Sequence, residues 1–181
     1  MIVDVNTNRL RLCQVERAPN SKGKVNLKTL AIRDKLPNFY AFDWSKTNEH
    51  IVAIGTGTGD TTLLQVGGDR PQNNFTHSFS IKSQRKVNTV AFSTKNFIAT
   101  GLEKVRNDYC MNIHDLNVGS LSPQQEPYKR LATGETVSSV KFFASQPDTL
   151  IAGFGGSSRP SNCIRLYDLR GTPHQSRALL D

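Results

Sequence analysis

Cysteine, tryptophan and long apolar stretches are what this chain has least of. Only three cysteines, Cys13, Cys110 and Cys163, occur in 181 residues, far apart and with no Cys-x-x-Cys among them. An odd, dispersed set excludes a disulfide framework and fits a reducing compartment, cytosol or nucleus. No run of about 18 apolar residues exists, so no segment reads as a transmembrane helix. The opening Met1-Ile2-Val3-Asp4-Val5 has neither the basic region nor the apolar core of a signal peptide, which leaves the sequon Asn74-Phe75-Thr76 without a secretory context. Sustained helical periodicity is missing too, so the sequence predicts almost no helix. The histidines His50, His77, His114 and His174 have no neighbour at metal-ligand spacing, and there is no Gly-x-Ser-x-Gly elbow. No cofactor, metal, catalytic residue or small-molecule substrate is expected, and the chain reads as a non-enzyme.

What is present is a basic, aromatic-bearing chain long enough to bury a core. Nine Phe and four Tyr argue against whole-chain disorder. The net charge of +8 permits contact with acidic partners, nucleic acid or anionic lipid without requiring it. Its densest stretch, Arg9, Arg11, Arg17, Lys22, Lys24, Lys28, Arg33 and Lys35, reads as a solvated loop rather than a nucleic-acid patch, because it lacks the interleaved aromatics on which single strands stack.

A repeat organises the rest. Phe39-Tyr40-Ala41-Phe42-Asp43-Trp44, Val87-Asn88-Thr89-Val90-Ala91-Phe92 and Val137-Ser138-Ser139-Val140-Lys141-Phe142 share one alternation and start 48 and 50 residues apart. Each is followed by a second run ending in glycine, 51–55, 97–101 and 150–153, and by a third, 61–66, 111–116 and 164–169. These runs are short, β-branched or aromatic, and bounded by Gly, Asn, Ser or Pro, which is strand chemistry. The first hairpin turn is tight, with Gly57, Gly59 and Asp60. The second carries Glu103–Asp108 and the third Gly155–Pro160. A fourth, outer strand per unit is expected in each linker, at Asn26–Ile32, Thr76–Ile81, Tyr128–Ala132 and Ser176–Leu180. Arg9–Val15 matches the third run of a preceding unit.

A period near 50 with four short strands per unit points to an all-β, partial β-propeller of about three and a half four-stranded blades. The expected units are 1–38, the last inner strand of one blade plus a linker, then blades at 39–86, 87–136 and 137–181. Three and a half blades cannot close a ring, so the chain is expected to be a fragment or part of a ring completed elsewhere.

His114-Asp115-Leu116 and Tyr167-Asp168-Leu169-Arg170 stand where WD-repeat proteins carry their Trp-Asp dipeptide, and the chain resembles that family over residues 5–181. It departs from the pattern in having no literal Trp-Asp and no Gly-His before the first run. Three stretches look more narrowly like the N-terminal blades of the Missing-oocyte (Mio) family, a WD-repeat subunit of the SEA/GATOR complex. They are Ala41-Phe42-Asp43-Trp44 with 52–55 and Leu63-Leu64, then 87–92 with Ala99-Thr100-Gly101-Leu102-Glu103-Lys104-Val105-Arg106-Asn107-Asp108 and Ile113–Leu116, then 150–153 with 167–170. The resemblance implies a non-catalytic scaffold that helps relay amino-acid status to the TOR kinase. Its partners would be other WD-repeat or solenoid subunits. It would lie in the cytoplasm, peripherally at the vacuolar or lysosomal membrane through those partners. The alternatives are another WD-repeat scaffold (in RNA processing, ubiquitin ligation or coat assembly) and a basic nucleic-acid-binding propeller.

The candidate site residues divide into two groups. Asp60, His114, Asp115, Tyr167 and Asp168 are structural turn or WD-like positions. Lys104, Arg106 and Asp108, on a charged hairpin, are candidate partner contacts, since loops on rigid scaffolds carry binding. Gly55-Thr56-Gly57-Thr58-Gly59-Asp60 is a hairpin turn and not a phosphate loop, because a β-run and no helix follows it.

Overall fold

The computed structural model describes residues 2–6, 8–17, 25–66, 76–117, 125–155, 163–171 and 176–178, and no helix occurs among them. The strands form four antiparallel meanders in chain order. The first is β1 (Ile2–Asn6), β2 (Arg9–Arg17) and β3 (Val25–Arg33). The second is β4 (Phe39–Trp44), β5 (Ile51–Thr56), β6 (Thr61–Gln65) and β7 (Thr76–Phe79). The third is β8 (Val87–Phe92), β9 (Phe97–Leu102), β10 (Tyr109–Asp115) and β11 (Lys129–Thr133). The fourth is β12 (Thr136–Phe142), β13 (Thr149–Gly155), β14 (Ile164–Asp168) and β15 (Ser176–Ala178).

The outer strands expected from the linkers appear as β3, β7, β11 and β15, within a few residues of their predicted bounds. Ahead of β2 the structure adds β1, a five-residue strand too short for periodicity to register. The basic stretch from Arg9 to Lys35 is not the loop its charge suggests. Most of it is β2 and β3, where Lys28 pairs with Glu16 at 3.8 Å and Arg33 Nε donates to the Gln65 carbonyl at 3.0 Å. The third hairpin's loop, 156–162, lies outside the described residues.

Adjacent sheets pack face to face by a repeated rule. Along β5, side chains alternate, so Val52 and Ile54 face the first sheet while Ala53 faces the third. The face toward the following sheet carries small residues: Ala41 and Ala53 in the second sheet, Ala91 and Ala99 in the third. The face they meet is larger: Val87, Val90 and Ile98, then Val137, Val140 and Leu150. Fully burying each of these large aliphatic side chains is worth about 1.5–3 kcal/mol. With both faces covered, the inner strands read as nearly continuous apolar runs.

Two glycines set the closeness of that contact. A Cβ on Gly55 would lie 2.2 Å from Val87 Cγ1, and one on Gly101 would lie 2.6 Å from Val137 Cγ1. Those valines occupy the same place in their sheets, since β4, β8 and β12 each carry a bulge after their Phe39, Val87 or Val137 pairing. Side chains of one innermost strand accept backbone N–H groups of the next: Phe92 N donates to Asp43 Oδ2 at 2.8 Å, and Val140 N to Thr89 Oγ1 at 3.3 Å. In the first hairpin only Gly59 needs glycine's freedom, at φ 101°; Gly57 has no such φ and instead lies against the Tyr40 ring.

Candidate functional site

The turn and WD-like residues are held by local bonds. Asp60 closes the β5–β6 turn: its N–H donates to Thr56 Oγ1 at 3.1 Å, and its carboxylate accepts from Thr58 Oγ1 at 2.8 Å. Asp115 and Asp168 end the third strands of their sheets and act alike. Asp115 Oδ1 accepts the Asn117 backbone N–H at 2.9 Å, and Asp168 Oδ1 accepts that of Arg170 at 2.9 Å. These are side-chain turns that satisfy the backbone as the strand ends. The Arg170 guanidinium also grips Asp168, and the two sets of bonds hold its carboxyl at about 2.

His114 and Tyr167 precede those aspartates and point into the interfaces. His114 is buried, with its ring stacked on Phe79 at 4.1 Å between centroids. Burial, with the charges of His77 and Arg130, pulls its pKa down to about 4, so the ring is neutral at pH 7. Tyr167 is buried as well, and burial pushes its hydroxyl pKa up.

Lys104, Arg106 and Asp108 are all exposed on the β9–β10 hairpin, with different local bonds. Lys104 is tied down by its backbone, whose N–H donates to Thr136 Oγ1 at 3.0 Å. Arg106 sits exposed at the tip with φ 49°. Asp108 stays half-exposed while its carboxylate accepts from the Nη2 of Arg85 at 3.1 Å.

Arg85, in the linker between β7 and β8, is the residue that sequence reasoning passed over. Its side chain is 4% exposed, and its Nη2 also donates to the Tyr109 carbonyl at 2.6 Å. It helps line a cleft of about 660 Å³, together with Lys82, Asn112, His114, Gln125 and Arg130. The buried Arg85 Nε and Nη1, His114 Nδ1 and Gln125 Oε1 have no hydrogen-bond partner there. On the same lining Arg130 pairs with Glu126. Among the described residues no group of three or more His, Cys, Asp or Glu is placed to hold a metal ion. No helix among them is long and apolar enough to cross a membrane.

Four-stranded antiparallel meanders, packed face to face in chain order with innermost strands bonded to one another, are the blades of a β-propeller. The chain is 30% identical over 162 residues to an uncharacterized WD repeat-containing protein of Schizosaccharomyces pombe; the match takes in 90% of this chain and 17% of that protein. Its fold is similar to the crystal structure of the Cps50 (Swd1) β-propeller domain of Myceliophteria thermophila, with a TM-score of 0.57 at 12% identity, over 82% of this chain and 39% of the other. No family model matches. The structural likeness shows a β-propeller fold, the sequence likeness is to a WD repeat-containing protein, and the chain spans only a small part of that protein's length.

Proposed function

We propose that this chain is a non-catalytic interaction module in a multiprotein assembly, and that the assembly is the SEA/GATOR complex, which relays amino-acid status to the TOR kinase. The observation that carries the reading is the β9–β10 hairpin. Its Gly101-Leu102-Glu103-Lys104-Val105-Arg106-Asn107-Asp108 run has the Mio-like pattern, and it is held at both ends while Arg106 stays exposed. A charged loop on a rigid frame is how propellers present binding determinants. By that resemblance the assembly would work at the vacuolar or lysosomal membrane, reached through partners.

The test is to tag the gene, purify under nuclease treatment at moderate salt, and identify by mass spectrometry what co-purifies. Recovery of SEA/GATOR subunits is the expected result; an unrelated set would discard the assignment. Arg106→Glu should weaken that assembly with the folded fraction unchanged, because Arg106 makes no buried contact. Undiminished recovery with the variant would remove the hairpin from the interface.

A further inference from the structure

The clefts on the two sides of the β8–β11 sheet follow one plan and are filled differently. Arg85 and Glu135 correspond: each stands two residues before the valine that precedes the bulge, Val87 in β8 and Val137 in β12. Asn112 and Arg165 correspond as well. Asn112 pairs through Thr100 to Val90, and Arg165 through Ala152 to Val140, the same register position in each sheet. On the β12–β15 side the two positions satisfy each other, with Arg165 Nη1 2.5 Å from Glu135 Oε2 and the Arg165 guanidinium over the Phe154 ring. On the β4–β7 side the guanidinium is present at Arg85, but the residue at the opposing register position is the neutral Asn112.

The consequence is a buried cation with unused donors. Asp108 and the Tyr109 carbonyl both take Nη2, which leaves the N–H groups of Nε and Nη1 without acceptors in a side chain 4% exposed. Leaving buried donors unmet is costly, more so on a charged group. Gln125 Oε1, an acceptor in need of a donor, is on the same wall.

We propose that this cleft binds an acidic side chain of an extended peptide segment of a partner protein, the carboxylate accepting from Arg85 Nε and Nη1 and a peptide N–H donating to Gln125 Oε1. The inference deepens the interaction-module reading and rests on it. Three cations, Lys82, Arg85 and Arg130, face two carboxylates, Asp108 and Glu126, which leaves one positive charge for a monoanion. Those carboxylates disfavour a phosphate dianion. Ile81 and Pro127 supply apolar wall for the side chain's stem. The neighbouring cleft shows the same need met within the chain by Glu135.

The experiment titrates the purified protein with capped pentapeptides, acetyl-Gly-Ala-Glu-Leu-Gly-amide and its Gln and phosphoserine counterparts, and with inorganic phosphate. The readout is NMR of the Arg85 Nε–H and Gln125 amide signals. The Glu peptide should bind saturably and move both signals, with the Gln peptide at least about tenfold weaker, as a charge-assisted hydrogen bond requires. Arg85→Lys should abolish binding. Because that change could unfold the protein, Asn112→Asp is the second variant: it offers Arg85 an internal carboxylate and should cut binding about tenfold or more while the chain stays folded. Equal binding of Glu and Gln peptides, stronger binding of phosphoserine or phosphate, no saturable binding, or a folded Asn112→Asp protein that binds as before would each overturn the proposal. Any of these leaves the co-purification result standing. A failed co-purification would in turn leave a positive peptide titration intact.

Discussion

The third sheet touches a neighbour on each side, and the two contacts are alike near the innermost strands and different farther out. Near β8 and β12, small residues and a glycine of one sheet receive the valines and larger aliphatics of the next, in both interfaces. Farther out, the β4–β7 side carries His77, His114 and Arg85 with unmet polar atoms, whereas the β12–β15 side is closed by Glu135 and Arg165 over Phe154. The geometry of stacking is thus enforced where backbones approach most closely. Chemistry is free to vary where the sheets diverge, and that is where a binding cleft can open.

That contrast can be broken or sharpened. The largest effect should come from emptying the shared core. Ile98 and Leu150 hold the same register position, each pairing with the innermost strand's last residue, so Ile98→Ala and Leu150→Ala should each cost about 4 kcal/mol in urea unfolding. Costs differing severalfold would show that the interfaces are not equivalent.

Acidification to pH 4 should act on the β4–β7 side through its buried histidines. Folding holds His114 neutral down to about pH 4, while the unfolded chain takes the proton near 6.5. Between those values the unfolded state binds more protons, so stability is full above about pH 6.5 and falls by about 3 kcal/mol as pH drops to about 4. His77, whose pKa burial also lowers, adds in the same direction. His114→Leu, which copies Leu64 at the corresponding place in the second sheet, should flatten the slope in denaturation curves taken between pH 7 and pH 4. The smallest of the three effects belongs to the glycines: Gly55→Ala and Gly101→Ala should each cost about 2 kcal/mol by overpacking, measured as a lowered urea midpoint. A tolerated alanine at either would mean that the sheets can slide apart.

The inner strands were legible in the sequence because burial on both faces leaves a strong mark: apolar runs such as Ile51–Gly55 and Phe97–Gly101, recurring near every 50 residues. Outer strands left a weaker trace, since β3 exposes Val25, Leu27, Leu30 and Ile32 and alternates little, yet the linkers located it. The hairpin candidates were visible as charge, but not that Asp108 would bond to the buried Arg85 while Arg106 stayed at the exposed tip. That outcome depends on Arg85, which in Gln84-Arg85-Lys86 looks like ordinary linker charge. Only a position-by-position alignment of the repeats, with Arg85 at the place of Glu135 and Asn112 at that of Arg165, carries its signal.

The meander order of the strands has a consequence for how the molecule comes apart. Within each sheet every strand pairs with its neighbour in sequence, and the sheets pack in chain order, first on second, second on third and third on fourth. Such a chain behaves as a one-dimensional array in which each unit is stabilised by itself and by its nearest neighbours. Amide hydrogen exchange should therefore be slowest in the middle of the array, at β5 and β9, and a lesion in one sheet should spread its damage along the chain only as far as cooperativity between adjoining units reaches.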